Sequence, residues 1–554
     1  MKKWVSSGLG LVLAISLALV GCSNDNKDVK TSDPAKTNAP KAEAKTEGGS
    51  KKVQDTLIVG RGGDSAALDP SIVTDGESFK ATQQIYDTLL DYKDGTTEVE
   101  ASLAESWKVS SDGLTYTFNL RSGVKFHDGT DFNADAVVFN FNRWKDPKSP
   151  VKFQGDSFDY YTSQFGGEKD DIIKEIKAVD AKTVQFTLNK PQAPFLQNIA
   201  MPCFGIGSPK AIQEKKEKFK SEPVGTGSFV FKEWKRNESI TLEKNPNYWK
   251  QGLPKLNKLI IRSIPDNSAR LTALKNGELD LIEGVNPDDV KNIEADKNLK
   301  KLVRPSFNVG YVGFNLKHKP FDDAKVRVAL SYAVNKKAII QAFYGGNAEV
   351  AVNPMPKSLW GHNNDIKDYE YDPEKAKKLL ADAGYPSGLP GEYTFYAMPV
   401  PRPYMPDGKK VAEAIQQDFA KIGVKTKIVS PEWATYLDDT KKGEKDDIYM
   451  LGWNGDNGDP DNFLYALLDK TNVGGNNQSY YMSEDVHKLL ADAQSMNDQA
   501  KRSENYKKAQ VLIKADAPWV PLAHSTPILA GKAAIDGYIP SPTGSESYET
   551  VIFK

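Results

Sequence analysis

The spacing of apolar and polar positions divides this chain into unlike stretches. Residues 8–21 are apolar except for Ser16, and Met1-Lys2-Lys3 ahead of them is a short basic head. That run is too short to cross a bilayer and has the length of a signal-peptide core. Residues 23–55 contain no aromatic residue, leucine or isoleucine. Such a segment buries too little apolar surface to offset its ordering entropy, so a disordered tether is expected. Beyond it the pattern is that of a folded body. Thr56-Leu57-Ile58-Val59 predicts a strand, and 79–90 has helical spacing through Ile85 and Leu89. Alternating runs flank Asp112-Gly113, which predicts a hairpin over 103–120, with a second turn over 121–129.

Further along, 268–282 reads as helix-like, with Leu271 and Leu274 on one side. The stretch 323–343 predicts one buried helix with Val326, Leu330, Ala333, Val334 and Phe343 largely on one stripe. Val411, Ile415 and Phe419 are four apart in 410–422, and Gly423 stops that helix. Residues 425–429 alternate as a strand, and 447–451 predicts another. Alternating helices and strands imply an α/β lobe with a mostly parallel sheet. Beyond Lys514 the chain returns to short strands and turns.

Composition adds limits. A body of about 500 residues exceeds one ordinary core and suggests two or three lobes. The formal charge of -1 becomes -3 without Lys2 and Lys3, which implies no nucleic-acid partner. Only Cys203 remains beyond Cys22, so no internal disulfide is expected, and its apolar flanks predict a buried, inert thiol. His127, His318, His362, His487 and His524 show no metal-ligand spacing, and neither Gly-x-Ser-x-Gly nor a phosphate loop occurs. No enzyme activity, metal or cofactor is therefore expected. No second apolar segment near twenty residues follows the first, which predicts a soluble body.

Chemistry concentrates after the apolar strand Ile448-Tyr449-Met450-Leu451. The loop Gly452-Trp453-Asn454-Gly455-Asp456-Asn457-Gly458-Asp459-Pro460-Asp461-Asn462-Phe463 holds three glycines and three aspartates. Glycine lets a backbone approach a ligand, and aspartate at a strand end offers a fixed negative charge. The same residues also suit a turn-rich loop satisfying its own backbone. Calcium binding by Asp456, Asp459 and Asp461 lacks the EF-hand order, with Tyr465 where the closing glutamate would fall.

Two resemblances sharpen these readings. Leu19-Val20-Gly21-Cys22 resembles the lipobox of bacterial lipoproteins, which implies cleavage before Cys22 and its lipidation. The run 104–129 closely resembles the signature of the family 5 extracellular solute-binding proteins of ABC importers. So do Pro223-Val224-Gly225-Thr226-Gly227, Asn247-Tyr248-Trp249, Asn308-Val309-Gly310-Tyr311, Val326-Arg327-Val328-Ala329-Leu330 and Tyr332-Ala333-Val334-Asn335. Trp360-Gly361, Met398-Pro399-Val400, Arg402-Pro403-Tyr404 and the loop from Gly452 are similar to the family's dipeptide-binding members.

The resemblance implies an α/β, two-lobed type II periplasmic-binding-protein fold with an extra subdomain in the first lobe. It implies two hinge crossings, near Pro305 and Pro518. The expected divisions are a signal peptide 1–21, an anchor and tether 22–55, a first lobe 56–305 with an inserted subdomain at roughly 97–220, a second lobe 306–517 and a return to the first lobe over 518–554. The implied function is a monomeric receptor, anchored outside the cell membrane through Cys22. It would capture a dipeptide or short peptide by lobe closure and pass it to a permease and ATPase encoded elsewhere.

A free dipeptide is a zwitterion whose charges lie about two residue lengths of roughly 3.5 Å apart. One fixed anion and one fixed cation are needed to read it, and arginine's planar fork suits the carboxylate. By resemblance, Asp456 takes the ammonium and Arg402 the carboxylate. From the residues alone, Asp459 and Asp461 have the same chemistry as Asp456, and Arg402 equally suits a surface loop. Gly452 to Gly455 and Thr74 to Gly76 are candidate edges for pairing with peptide backbone, and Trp453 is either a pocket wall or core. Glutathione, haem or longer peptides stay open as ligands, as does a lipoprotein chaperone or sensor.

Overall fold

The computed structural model describes residues 54–167 and 170–554, so Cys22, the leader and nearly all of the tether lie outside the described residues. Strand Thr56–Arg61 pairs in parallel with both Lys258–Ser263 and Leu281–Ile282. Antiparallel additions complete a seven-stranded sheet in the order Leu299–Val303, Ile528–Lys532, Leu281–Ile282, Thr56–Arg61, Lys258–Ser263, Ser239–Lys244, Phe229–Lys235. Leu57, Val59, Ile240, Leu242, Leu259 and Ile261 are fully or nearly buried in the first lobe's core.

Between the first strands of this sheet, the chain builds a separate four-stranded antiparallel sheet in the order Ala104–Val109, Thr115–Leu120, Thr183–Leu188, Ile173–Asp180. The hairpin expected at Asp112-Gly113 is present, with Gly113 at φ +69° in its turn. Thr115–Leu120 and Thr183–Leu188 bury every second residue. That period-two pattern gives the sheet one apolar face. Helix Ala134–Lys145 packs there, with the Phe141 and Phe186 rings edge to face at 4.8 Å.

The second lobe has a six-stranded sheet in the order Ala348–Val350, Trp519–Ser525, Asn308–Phe314, Ile448–Asn454, Glu392–Tyr396, Lys425–Val429. Both Asn308–Phe314 and Ile448–Tyr449-Met450-Leu451 are buried along their lengths, as a central strand requires. The helix predicted over 410–422 is Gly408–Lys421; Asp407 caps its start and Gly423 follows at φ +76°. A mostly parallel sheet is not what forms. Glu392–Tyr396 pairs in parallel with both its neighbours, but the other three pairings are antiparallel. The sheet is mixed because Asn308–Phe314 runs antiparallel to both its neighbours and Trp519–Ser525 runs antiparallel to the edge strand Ala348–Val350.

Other expectations shift for local reasons. The single helix expected over 323–343 is two, Ala324–Ala333 and Lys336–Phe343. The break falls where the Asn335 side chain accepts from Ala338 N, an N-cap that starts a new helix. The 79–90 helix is Gly76–Ile85, and Leu90 begins a short strand. The helix from Asn267 stops at Lys275; Gly277 turns at φ +81° and Leu281–Ile282 joins the first sheet as a strand. The return from the second lobe also lies later than Pro518. Trp519–Ser525 pairs inside the second sheet, and only Ile528–Lys532 lies in the first. The two sheets are thus joined through 304–307 and 526–527, and Arg304 N donates to Pro527 O at 3.0 Å.

Candidate functional site between the lobes

Strand Ile448–Asn454 carries the loop out of the second sheet. Glu392–Tyr396 pairs with Ile448 and Tyr449 but no farther, while Asn308–Phe314 continues to Asn454 on the other side. The backbone edge beyond Tyr449 therefore has no strand neighbour among the described residues. Two glycines here are required by packing. A Cβ on Gly452 would overlap the Tyr404 ring, and one on Gly455 would overlap the Phe307 ring. The Gly455 N–H is also used, donating to Phe307 O at 2.9 Å.

Asp456 follows, and its surroundings were not legible in the sequence. Tyr160, from helix Asp159–Phe165 of the first lobe, donates to Oδ1 at 3.0 Å. Asn462 Nδ2 donates to Oδ2 at 3.1 Å. Asn462 Oδ1 in turn accepts from the Asp456 backbone N–H at 2.9 Å and from Trp453 Nε1 at 3.0 Å. One amide thus fixes both the carboxylate and the indole. Trp453 is half-buried and packs against the second-lobe core. Asp456 keeps some exposed surface but is enclosed by protein. That enclosure pushes its carboxyl up to about 6, against the two neutral hydrogen bonds that favour the charged form. No cationic side chain pairs with it among the described residues.

The two neighbouring aspartates differ. Asp459 is fully buried and pairs with Arg502 Nη2 at 2.7 Å. Asp461 accepts from Gln494 Nε2 at 2.9 Å, and burial, then the nearby Asp459 charge, pushes its carboxyl up to about 7. Of the three carboxylates, Asp459 already has its cation and Asp456 does not. No group of three or more His, Cys, Asp or Glu among the described residues is placed to hold a metal ion.

The facing wall comes from the first lobe. The Tyr160 ring packs edge to face on Phe79 at 5.8 Å, and Phe79 belongs to the helix that Gly76 opens. Asp75 caps this helix through Ser78 N at 2.8 Å and Ser78 Oγ at 2.7 Å. Thr74 and Gly76 are exposed, and a Cβ on Gly76 would meet nothing within 4 Å. Cys203 is 1% exposed, and burial pushes its thiol up, as does the Asp456 charge nearby. Further contacts join the lobes: Asn457 Nδ2 donates to Asn198 Oδ1 at 2.9 Å, and Ala193 N donates to Gln494 O at 2.7 Å.

Arg402 is not brought into contact with Asp456. It sits in a tight turn closed by hydrogen bonds with Met405 in both directions, exposed, with its guanidinium 5.3 Å from the Trp433 ring centre. No carboxylate of the described residues pairs with it. Tyr404 of the same turn lies against Gly452, so the turn rests on the strand that leads to Asp456. Sequence reasoning missed Tyr160, Asn462, Asn198 and Arg502. Only Asn462 lay within the stretch singled out; the others are hundreds or tens of residues away from it.

Two lobes, each with its own sheet and core, joined by paired connections and meeting through polar side chains, define an α/β solute-binding protein. Residues 98–475 match the bacterial extracellular solute-binding proteins, family 5 (middle), and the chain belongs to that family. Its members are solute-binding proteins and not enzymes. The chain is 40% identical over 525 residues to heme-binding protein A of Haemophilus influenzae, covering 92% of this chain and 94% of that protein. It is 40% identical over 510 residues to the dipeptide-binding protein of Escherichia coli, covering 90% and 94%. Among solved structures it resembles the ABC transporter-associated periplasmic binding protein DppA from Helicobacter pylori in complex with the peptide STSA. That match has a TM-score of 0.79 and 38% identity, covering 90% of this chain and 98% of the other. Among the described residues no helix is long and apolar enough to cross a membrane.

Proposed function

We propose that this protein is the receptor of an ABC peptide importer, capturing dipeptides and other short peptides between its lobes. The observation that carries the reading is Asp456: a carboxylate at the lobe junction, oriented by two neutral donors and lacking a protein cation. A peptide ammonium supplies the missing charge. Arg402, without a carboxylate partner, takes the peptide carboxylate, and the lobes swing about 304–307 and 526–527 to enclose the peptide. The Gly452–Gly455 edge and the exposed Thr74–Gly76 backbone line the peptide, and Trp453 walls a side-chain pocket. The names of the dipeptide-binding relative and the peptide-bound structure support this reading.

Calorimetry with free, N-acetylated and amidated Ala-Ala tests it. The free form is expected to bind, and each blocked form to bind far more weakly. Equal affinity for all three would remove Asp456 and Arg402 from these roles. Haem is the second reading, favoured by the similarity to a heme-binding protein; a saturable Soret shift on haem titration, undisplaced by Ala-Ala, would support it instead.

Anchoring through Cys22 is part of the same proposal. Two or more acyl chains give stable attachment, since each buried methylene adds about 0.8 kcal/mol. Cys22→Ser protein is expected to lose both labelled fatty acid and membrane association. Unchanged fatty-acid incorporation would overturn the anchor.

A further inference from the structure

Buried charges are costly unless paired, and the first lobe holds a chain of them that peptide capture leaves unused. Arg304 lies in the first connection, and its backbone bond to Pro527 fastens the two connections together. Its side chain turns back into the first lobe. Nε donates to Glu546 Oε1 at 2.9 Å, Nη2 bonds the same oxygen, and Nη1 lies 3.7 Å from Glu283 Oε2. Glu283 pairs with Lys80, and Lys80 with Glu77 at 3.1 Å. Glu77 directly follows Gly76, and its carbonyl accepts from the fully buried Arg61. One turn beyond Lys80, Gln84 donates to Glu546 O at 2.7 Å and accepts from Tyr548 N at 3.1 Å.

Helix Gly76–Ile85 is therefore gripped at Lys80 and Gln84 by the groups that hold Arg304. The Lys80, Glu283 and Arg304 side chains are only 11, 15 and 10% exposed, so solvent and salt screen them weakly. Burial opposes charge on all three, yet their partners prevail: Lys80 and Arg304 are held above their ordinary ranges and Glu283 below its own.

We propose that Arg304, Glu283 and Lys80 are positioning residues that transmit occupancy of the Thr74–Gly76 edge to both connections between the sheets. Peptide binding and the relative setting of the lobes are coupled through this charge chain. The proposal rests on the reading of Thr74–Gly76 as a ligand edge. None of the three side chains belongs to the residues assigned to the peptide.

Lys80→Met combined with Glu283→Gln removes the middle of the chain as a neutral pair and leaves Arg304 on Glu546. Hydrogen exchange of the segment containing Ala193, whose N–H bonds across the lobes, reads lobe opening in the purified full chain; calorimetry with Ala-Ala reads affinity. In the double variant, exchange without peptide is expected to change by about tenfold and the Ala-Ala Kd to rise by about tenfold, a size typical of coupling between sites. Arg304→Lys, which keeps the charge, is expected to fall between it and the wild type. A merely structural role would lower the melting temperature and leave peptide-induced protection of this segment unchanged; that result overturns the proposal. If the double variant does not fold, Arg304→Lys decides, and wild-type exchange and affinity in it overturn the coupling. If wild-type protein fails to bind Ala-Ala, the peptide reading fails. The charge chain is then judged on peptide-free exchange alone: a changed rate supports it and an unchanged rate overturns it.

Discussion

Asp456→Asn is expected to cost about 3 kcal/mol of affinity for free dipeptides, close to a hundredfold in Kd. The low end of the range for breaking a buried pair applies because Asp456 keeps some exposed surface. The variant amide can accept from Asn462 Nδ2 and donate to the Tyr160 hydroxyl, so the lobes should meet as before and the loss should be confined to recognition of the ammonium. N-acetylated dipeptides should lose little, since they bring no cation to the site. The pH dependence provides a second signature. With its carboxyl up at about 6 in the peptide-free protein, a proton competes with the ammonium below that pH. Affinity should be greatest near about pH 7, halve by about pH 6 and then fall toward tenfold per unit below, and decline above about pH 8 as the peptide amine deprotonates. Asp456→Asn should abolish the acidic limb. Calorimetry from about pH 4.5 to about pH 8.5 measures both effects. An acidic limb that persists in the variant would assign it to another group.

Arg502→Met is expected to be the most destabilising single change near the site, at roughly 3–5 kcal/mol. Arg502 is 5% exposed and Asp459 fully buried, so removing the guanidinium leaves a carboxylate with no cation in a region that also holds Asp461. Arg502 also donates to Ala493 O of helix Glu484–Ser495 at 2.9 Å and to Tyr506 Oη at 2.9 Å, and Tyr506 donates in turn to Asp459 Oδ1 at 3.3 Å, so helix Gln499–Asp516 is tied both to its neighbour and to the loop. Adding Asp459→Asn should recover much of the loss by removing the stranded charge. Urea unfolding of the single and double variants measures this. A loss under about 1 kcal/mol in the single variant would show that water reaches the carboxylates and that the pair is only a surface contact.

Local pattern carried much of the architecture but little of the site. The helix Gly408–Lys421 and the strand from Ile448 were legible because apolar spacing reports which face a segment buries. The break at Val334 was missed although Asn335 is a good capping residue, because the apolar stripe continues across it. Sheet direction was misread because β pairing is non-local: Trp519–Ser525 finds its neighbours about two hundred residues earlier. The same limit hides the partners of Asp456. The loop announced an acidic strand end, yet Tyr160 lies 296 residues away in sequence. Nothing near Asp459 signalled that Arg502 would neutralise it and leave Asp456 as the carboxylate without a protein cation.

The order of strands has a consequence for how the chain acquires its fold. Trp519–Ser525 lies between Ala348–Val350 and Asn308–Phe314, and Ile528–Lys532 lies between Leu299–Val303 and Leu281–Ile282. Each large sheet thus takes an interior strand from the last few dozen of the 554 residues. Neither sheet can be completed until Trp519–Ser525 and Ile528–Lys532 have been made, and Leu299–Val303 has no other strand partner among the described residues. Long-range closure of this kind is intrinsically slow. Refolding is therefore expected to complete both sheets late, through pairings more than two hundred residues apart in sequence, about the separation that makes closure slow.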